Sequence, residues 1–172
     1  MADNLKNIKC PACQNEMIKV YVPEHGINID LCVNGCGGIY FDNREFKLFD
    51  EQNENIDMII EAFSNKSFIK VNENLQRVCP VCNQKMHKNF TSIKKEIQID
   101  ECYSCGGKFL DNNELEKIRQ EYATEKERVG DVMEYVHRVV GMELESLDKK
   151  VDFAKSNRSA MKAMYDALFG LN

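Results

Sequence analysis

Eight cysteines in two groups of four are the residues of this chain whose type and spacing indicate a defined chemistry. Each group consists of two closely spaced pairs that lie about 20 residues apart. Zn²⁺ prefers four thiolate or imidazole ligands in a tetrahedron, and two such pairs on tight turns present four sulfurs to one ion. We therefore predict two zinc ions, one for each group. The predicted ligands are Cys10, Cys13, Cys32 and Cys36 in the first site and Cys79, Cys82, Cys102 and Cys105 in the second.

The same cysteines have two alternative uses. Iron is the alternative ion, because rubredoxin-type sites also contain four cysteines. Redox dithiols or disulfides are the second alternative, but the first residues form no apolar signal segment, so we expect a cytoplasmic protein with reduced thiols. His25, His87 and His137 are not needed as ligands, because each group already supplies four cysteines.

The two groups belong to an internal repeat. Residues 10–46 and 79–115 align at an offset of 69, and they share a Cys-Pro-x-Cys turn, a Cys-Gly-Gly turn and an Asp-x-x-Glu sequence. The first copy has three residues between its last two cysteines, whereas the second copy has two. We expect Asn34-Gly35 to absorb the extra residue, since both residue types tolerate a positive φ.

Between its cysteine pairs, each copy is predicted to form a β-hairpin. Ile27, Ile29 and Leu31 alternate with polar residues in the first copy, as do Ile97 and Ile99 in the second. A fold of this size buries little apolar surface, so metal binding is expected to supply folding free energy on the order of 10 kcal/mol or more. The predicted fold class is α+β, with two small zinc-ribbon modules that are joined and followed by α-helices.

Each ribbon is predicted to lead into a helix, because Asp42 and Asp111 are followed three residues later by glutamate. After the second copy we expect a helix from 112 to about 128, with Gly130 as the candidate break. Four regions follow from this organisation. They are a first ribbon with its capping helix at 8–50, a helical linker at 51–76, a second ribbon with the start of a helix at 77–120, and a C-terminal helical region at 121–172.

Two apolar helical faces are predicted in the C-terminal region. The first consists of Met133, Val136, Val140, Leu144, Leu147 and Val151. It either packs on the rest of the chain or mediates self-association through residues 131–151. The second consists of Met161, Met164, Tyr165, Leu168 and Phe169. This face either docks within the chain, which we expect, or inserts into a groove of a partner.

Charge and hydropathy restrict the classes of partner. The formal net charge is -5, and two filled all-thiolate sites would add about four negative charges. A chain this acidic is a poor general ligand for polyanions. No stretch approaches the roughly 20 apolar residues of a membrane span, so no membrane contact is expected. The second ribbon nevertheless contains a basic group, which consists of Lys85, His87, Lys88, Lys94 and Lys95.

The turns and the residues after them resemble the bacterial family that is named for the zinc ribbon of transcription factor IIB. In the second copy, the matching residues are Cys-Pro-Val-Cys at 79–82, Cys-Tyr-Ser-Cys-Gly-Gly at 102–107, Phe-Leu at 109–110 and Asp-Asn-Asn-Glu-Leu at 111–115. The first copy departs from the pattern in its longer second turn and in Phe46, where the family has Leu. The resemblance covers about 75 residues. It implies two zinc-ribbon folds and little about function.

The sequence has no Ser-His-Asp order of a serine hydrolase, no Walker loop of a nucleoside triphosphatase and no His-Glu-x-x-His motif of a metalloprotease, and closed four-cysteine sites leave no position for a substrate. We therefore expect a non-enzymatic, zinc-binding adaptor that mediates protein–protein interactions, in transcription or a related complex. Nucleic-acid binding through the second ribbon is an alternative that the acidic charge does not favour. A zinc or redox sensor is the other alternative, and its better candidate is the first site with its longer turn.

Overall fold

The computed structural model describes residues 6–122 and 124–169. The chain divides into two compact units, Met1–Arg128 and Val129–Asn172. The strands are β1 (Ile18–Val22), β2 (Ile27–Leu31), β3 (Ile39–Phe41), β4 (His87–Phe90), β5 (Gln98–Glu101) and β6 (Lys108–Leu110). The helices are a 3-10 helix (Phe46–Leu48), α1 (Asp57–Phe63), α2 (Glu114–Glu121) and α3 (Glu125–Phe169).

The two repeats together form one antiparallel sheet with the strand order β1-β2-β3-β6-β5-β4. In each repeat, the first two strands form the predicted hairpin, and the third strand lies after the second pair of cysteines. The third strands of the two repeats, β3 and β6, pair with each other at the centre of the sheet. The predicted α+β class and the two ribbon folds are confirmed, and the shared sheet is an additional feature that the motifs do not predict.

The pairing of β3 with β6 is symmetric. Tyr40 lies opposite Phe109, while Ile39 lies opposite Leu110 and Phe41 lies opposite Lys108. Because the repeats are offset by 69 residues, Tyr40 and Phe109 are equivalent positions. A local twofold axis near this pair therefore relates the central strands of the two repeats.

The alternation of side chains along the strands gives the sheet two different faces. The cysteine face carries both cysteine groups together with Met17, Met86, Tyr40 and Phe109. The other face carries an apolar core that both repeats build with α1 and α2. The buried residues of that core are Val22, Ile29, Leu31, Val33, Ile39, Phe41, Phe46, Phe49, Ile59, Ile99, Leu110, Leu115 and Ile118.

Two glycines allow the repeats to approach each other closely at their joint. A Cβ added at Gly107 would overlap the Tyr40 hydroxyl, and a Cβ added at Gly38 would overlap the Phe109 ring. The second glycine of each Cys-Gly-Gly turn thus makes room for the aromatic ring of the other repeat. A larger side chain at either position would push the two central strands apart.

The segments that follow the two ribbons only partly match the predicted helix starts. The N–H of Asp42 donates to Glu45 Oε2 at 2.8 Å and the N–H of Asp111 donates to Glu114 Oε2 at 2.7 Å, so the predicted glutamate contacts are present. The N-cap residues are Glu45 and Asn113, and neither makes a side-chain cap hydrogen bond. The prediction that Asp42 and Asp111 are the N-caps is therefore wrong. In the first copy, only the short 3-10 helix Phe46–Leu48 follows the ribbon.

The C-terminal helices are interrupted elsewhere than predicted. α2 ends at Glu121, α3 begins at Glu125, and α3 continues through Gly130. A glycine inside a helix costs about 1 kcal/mol relative to alanine, which does not end a helix of this length. Within the described part of the chain, no helix combines the length and the apolar character that crossing a membrane requires.

Arg119 of α2 fastens the segment that follows the first ribbon. Its Nη1 donates to the carbonyl oxygen of Phe49 at 2.8 Å, and its Nη2 donates to those of Gln52 at 2.9 Å and Glu54 at 2.8 Å. The side chain is buried, so these carbonyl groups replace the water that the guanidinium loses. One side chain of the second repeat thereby fixes the loop between the 3-10 helix and α1.

Candidate metal centres

The structure brings the eight predicted ligands together in the two predicted groups. In the first cluster, the sulfurs of Cys10, Cys13, Cys32 and Cys36 all lie within 4.8 Å of one another. The Sγ atoms of Cys10 and Cys36 are 3.4 Å apart, as are those of Cys13 and Cys32. All four side chains come from two turns at the same end of the β1–β2 hairpin.

The second cluster repeats this arrangement. The sulfurs of Cys79, Cys82, Cys102 and Cys105 also lie within 4.8 Å of one another. The Sγ atoms of Cys79 and Cys105 are 3.5 Å apart, and those of Cys82 and Cys102 are 3.3 Å apart. The intermediate exposure of Cys82 and Cys105 makes this cluster slightly more open than the first.

The geometry of both clusters fits a tetrahedral zinc ion. Zn–S bonds of about 2.3 Å give a tetrahedron with S–S edges of about 3.8 Å, close to the distances in both clusters. A disulfide would need sulfurs about 2.05 Å apart, and all eight cysteines are free thiols. A bound Zn²⁺ would cross-link the two turns of each ribbon.

The first turn of each cluster has the same backbone geometry. The N–H of Gln14 donates to the Cys10 carbonyl at 2.9 Å, and the N–H of Asn83 donates to the Cys79 carbonyl at 3.0 Å. Gln14 and Asn83 have φ values of 64° and 60°, in the left-handed region. This conformation reverses the chain directly after the second cysteine, so that both sulfurs of the pair point to the same side.

The second turn of each cluster depends on its first glycine. Gly37 and Gly106 have φ values of 75° and 81°, and their N–H groups donate to the carbonyls of Cys32 at 3.1 Å and Cys102 at 2.7 Å. A Cβ at Gly106 would lie 2.6 Å from Cγ of Asn43 in the other repeat. The glycines are therefore required both by the backbone conformation and by the close packing of the repeats.

The additional residue of the first cluster is accommodated by a different mechanism from the predicted one. Neither Asn34 nor Gly35 is among the described residues with positive φ. A Cβ at Gly35 would instead lie 2.6 Å from Cys32 Sγ and 2.7 Å from Cys13 Sγ. The longer turn thus brings its backbone against the sulfurs, and glycine is needed for space rather than for a positive φ.

Tyr40 connects the first repeat to the second cluster, and no motif of the sequence predicts this contact. Its hydroxyl lies 3.3 Å from Cys79 Sγ and 3.8 Å from Cys105 Sγ. Burial, and then the hydrogen bond with Cys79, raise the pKa of the Tyr40 phenol, so it keeps its proton and could donate it to a metal-bound thiolate of Cys79. The equivalent residue of the second repeat is Phe109, which has no hydroxyl to offer the first cluster. The two repeats thus differ in whether a hydroxyl reaches the cysteine cluster of the other repeat, and the change from Tyr to Phe at this position is visible in the sequence.

The four thiols of a cluster do not ionise together when no cation is present. Hydrogen bonding with Cys10 lowers the pKa of the Cys32 thiol, whereas other thiols of the two clusters hold their protons more strongly. Burial, and then hydrogen bonding with Cys79, raise the pKa of the Cys105 thiol to about 12. Four adjacent thiolates repel one another in a poorly hydrated site, and a divalent cation removes that penalty. Metal binding is therefore expected to release protons.

A buried ion network, which the sequence motifs do not predict, lies next to the second cluster. Arg77 Nη2 donates to both carboxylate oxygens of Asp111, at 2.8 and 2.7 Å, and its Nη1 lies 3.1 Å from Asp100 Oδ2. The guanidinium also lies 4.8 Å above the Phe109 ring. The first repeat has Ile8 at the position of Arg77, so the network exists in one copy only. The carboxylates of Glu73, Asp111 and Glu114 form an acidic group beside this arginine. Arg77 neutralises one of them, because it forms an ion pair with Asp111.

The three histidines lie outside both cysteine clusters. His25 packs edge-on against Phe49 with ring centroids 5.6 Å apart, and His87 stacks on Tyr103 with centroids 4.8 Å apart. His137 is exposed on α3. Within the described residues, no histidine belongs to a group that could hold a metal ion.

Comparison with known proteins agrees with this geometry. A sequence model of the family described as "Transcription factor zinc-finger" matches residues 9–48 and 78–121, which are the two ribbons with the segments that follow them. A search of curated proteins found no significant match, and a search of solved structures found none either. The two matched segments, the two cysteine clusters and the repeated hairpins together show that this chain contains two copies of the zinc-ribbon domain of the transcription factor zinc-finger family.

Proposed function

We propose that this protein is a non-enzymatic, cytoplasmic zinc adaptor that holds two zinc ions and acts by binding other proteins, in transcription or a related complex. The eight cysteines are the proposed ligands, four to each ion. Iron is the alternative ion. Elemental analysis of the purified chain tests this part, because two zinc ions per chain are expected and an iron content would contradict it.

The closure of the clusters supports a structural role for the metal. Cys10, Cys32, Cys79 and Cys102 have no exposed surface, and Cys36 is only 2% exposed. Four thiolates fill the coordination sphere of a tetrahedral ion, so no position remains for a substrate or an activated water. This arrangement favours a folding role over catalysis.

The exposed apolar surface of α3 is the observation that carries the proposed adaptor function. Large apolar side chains lie on several sides of this helix in its described part. The residues more than a third exposed are Val129, Val132, Met133, Tyr135, Val136, Val140, Met142, Leu144, Leu147, Val151, Phe153, Met161, Met164 and Tyr165. Patches of this extent mark interaction sites in soluble proteins. The predicted face residues Leu168 and Phe169 lie outside the described side chains.

One row of apolar residues on α3, three of them exposed and Val139 partly buried, is suited to a protein groove. Val132, Tyr135, Val139 and Met142 follow one another at steps of three, four and three residues, on one side of the first half of α3. An amphipathic helix binds to a groove through anchors with this spacing. Methionine adapts its shape to different partners, and tyrosine provides a large contact area with a polar end. We call these four residues the anchor row.

Affinity capture with quantitative mass spectrometry tests the adaptor proposal. The full zinc-loaded chain is compared with the double variant Tyr135→Glu and Met142→Glu, which places charges in the anchor row. The matched control is Ser156→Glu and Ser159→Glu, which adds the same charge at exposed polar positions of the same helix. Proteins other than this chain should be captured by the wild type and the control and lost with the double variant. Equal capture by all three would contradict the proposal.

Nucleic-acid binding through the second ribbon is the second candidate, favoured by one observation. His87 and the exposed Tyr103 form a stacked pair with an interplanar angle of 7°, a surface on which a base could stack. The basic group is weaker than its sequence indicates, because Lys88 pairs with Asp100 at 3.0 Å and Lys94 lies 4.0 Å above the Tyr122 ring. A titration with single-stranded oligonucleotides at low ionic strength distinguishes the candidates. An absence of salt-sensitive binding there would remove this one.

A zinc or redox sensor is the third candidate, and it requires one labile site. The first cluster contains the longer turn, and the second cluster receives the Tyr40 hydroxyl that the first lacks. Both differences favour weaker metal binding at the first cluster. Competition with a chromophoric chelator should then show two steps of zinc release, and a single step would count against a sensor.

A further inference from the structure

A seam of apolar residues with a seven-residue period runs along α3, on a different side from the anchor row. Five of its members, from residue 133 to residue 161, follow one another at steps of seven residues. The other two, Leu144 and Val151, lie between these positions near the middle of the helix. Steps of three and four residues in this pattern are typical of a coiled coil. The members of this apolar seam are Met133, Val140, Leu144, Leu147, Val151, Ala154 and Met161.

We infer that α3 pairs with α3 of a second copy of this chain in antiparallel orientation, with the centre of the pair between Leu144 and Leu147. The inference rests on the proposed function in that α3 is an interaction surface, and it assigns the partner of the apolar seam. Leu144 is 57% exposed and Leu147 is 52% exposed, so the centre of the seam lies open in the single chain. A twofold pair places the same seam on both sides of the interface.

The charges beside the seam oppose a parallel pair. The charged residues lie on two sides of the seam, Glu143 and Lys150 on one side and Asp148 and Lys155 on the other. In a parallel coiled coil, a residue on the first side faces the partner residue that lies five positions later on the second side. Glu143 would then face the partner's Asp148, and Lys150 would face the partner's Lys155. Symmetry doubles each contact, so a parallel pair would place like charges together on both flanks at its centre.

The same charges favour the antiparallel pair. When Leu144 faces the partner's Leu147, Glu143 lies beside the partner's Lys150, and Glu134 lies beside the partner's Lys155. Symmetry doubles these contacts as well, and all of them join opposite charges. Reversal of one helix thus changes the flanking contacts from repulsive to attractive.

This register also matches the shapes of the facing residues. Val140 faces the partner's Val151 on each side of the central leucines. Further out, His137 faces the partner's Ala154, whose small side chain leaves room for the imidazole ring. Where the interface contains a residue that is not aliphatic, His137, the facing residue is therefore small.

The length of the paired segment is sufficient for a stable pair. Residues 130–161 face their partner equivalents, and this segment is roughly 48 Å long at 1.5 Å per residue. It spans more than four heptads, which exceeds the three to four that a coiled coil needs. Near its ends, Met133 faces the partner's Arg158, whose aliphatic stem covers the thioether while its charge stays in water.

The mass of the full zinc-loaded chain tests the pairing. Light scattering and sedimentation should give the mass of a dimer at tens of micromolar protein. A monomer mass under these conditions would overturn the inference. It would leave the adaptor proposal standing, because that proposal depends on capture of other proteins through the anchor row.

A zero-length carbodiimide cross-link tests the orientation. Within one helix, Glu134 and Lys155 are about 32 Å apart, so no amide bond can form between them in a single copy. In a mixture of isotopically light and heavy chains, we expect a cross-linked peptide that joins Glu134 of one copy to Lys155 of the other. A dimer that gives no such peptide would overturn the antiparallel register.

Charge reversal at Lys150 is a second test that distinguishes an antiparallel from a parallel pair. Lys150→Glu places a carboxylate beside the partner's Glu143, and we expect about tenfold weaker dimerisation. In a parallel pair the same change would remove the repulsion with the partner's Lys155 and strengthen the dimer. The matched control is Lys149→Glu, which makes the same charge change on the outer side of the helix. A tighter dimer with Lys150→Glu, or equal weakening by both variants, would overturn the inference.

Discussion

The hydroxyl of Tyr40 lies 3.3 Å from the sulfur of Cys79, although the two residues belong to different repeats. The ring of Tyr40 reaches this position by crossing the joint between β3 and β6, where Gly107 leaves room for it. A hydrogen bond to a coordinating sulfur reduces its charge and orients it. The second cluster is therefore completed by the first repeat, and the two ribbons are one structural unit.

Replacement of Tyr40 by phenylalanine should weaken metal binding at the second cluster. The variant removes the O–H donor and preserves the ring, so we expect about tenfold faster zinc transfer from this site to a chromophoric chelator. In the cadmium-substituted protein, one of the two ¹¹³Cd resonances should shift. The matched variant is Phe109→Tyr, which offers a hydroxyl to the first cluster and should slow its release. Unchanged transfer in Tyr40→Phe would show that the contact has no effect on the metal.

Replacement of Gly35 by alanine should disturb the first cluster alone. The added Cβ would lie 2.6 Å from Cys32 Sγ, so the turn must open and the sulfurs must separate. We expect zinc affinity to fall at least tenfold at one site, and elemental analysis after mild chelation should give about one zinc per chain. Gly141→Ala is the control, because a Cβ there meets no atom within 4 Å. Retention of both ions by Gly35→Ala would contradict the role given to this glycine.

Replacement of Arg77 by methionine should destabilise the ribbon unit. The change leaves the buried carboxylates of Asp100 and Asp111 without their guanidinium partner. Loss of one member of a buried ion network costs about 3–5 kcal/mol. Urea unfolding of the zinc-loaded protein measures the loss. The control is the exposed Lys66→Met, which should change the unfolding free energy by less than about 0.5 kcal/mol. An equally small change for Arg77→Met would refute this assignment.

Glu114 should make the protein less stable as the pH rises toward neutrality. Burial, and then the charges of Asp111 and Glu73, raise the pKa of the Glu114 carboxyl to about 7, from its ordinary value of 4.5. The unfolded chain therefore loses this proton before the folded chain does, and the unfolding free energy falls as the pH rises between these two values.

The variant Glu114→Gln keeps an acceptor for the Asp111 N–H and has no proton to lose. Relative to the wild type, its unfolding free energy should rise by about 1 kcal/mol between pH 6 and pH 8. Denaturant unfolding at constant zinc concentration measures this difference. Glu116→Gln, at an exposed position of the same helix, is the control. Parallel pH profiles for the wild type and Glu114→Gln would contradict the prediction.

The cysteine clusters and the hairpins could be predicted because their determinants are local. Cys10 and Cys13 lie in one turn, and the alternation of Ile27 and Ile29 is read within a single strand. The family resemblance, now confirmed by the match to both repeats, rests on the same short motifs. Two copies at one offset made each local pattern more specific.

The joint between the repeats could not be predicted, because it depends on contacts between distant residues. β3 and β6 are three residues long, and no periodicity can be read from Ile39–Phe41 alone. The need for Gly38 and Gly107 becomes clear only when the ring of the other repeat is in place. Arg77 likewise resembles a surface residue until the fold places it between two aspartates.

The central strand pair also determines an order of events on the ribosome. β3 is complete at Phe41, whereas β6, its partner, is synthesised almost seventy residues later. At translation rates of about 5–20 residues per second, the first ribbon waits several seconds with this strand unpaired. A nascent chain in that interval presents an aromatic strand edge to neighbouring nascent chains on the same messenger, and two first halves could pair with each other before either second half emerges.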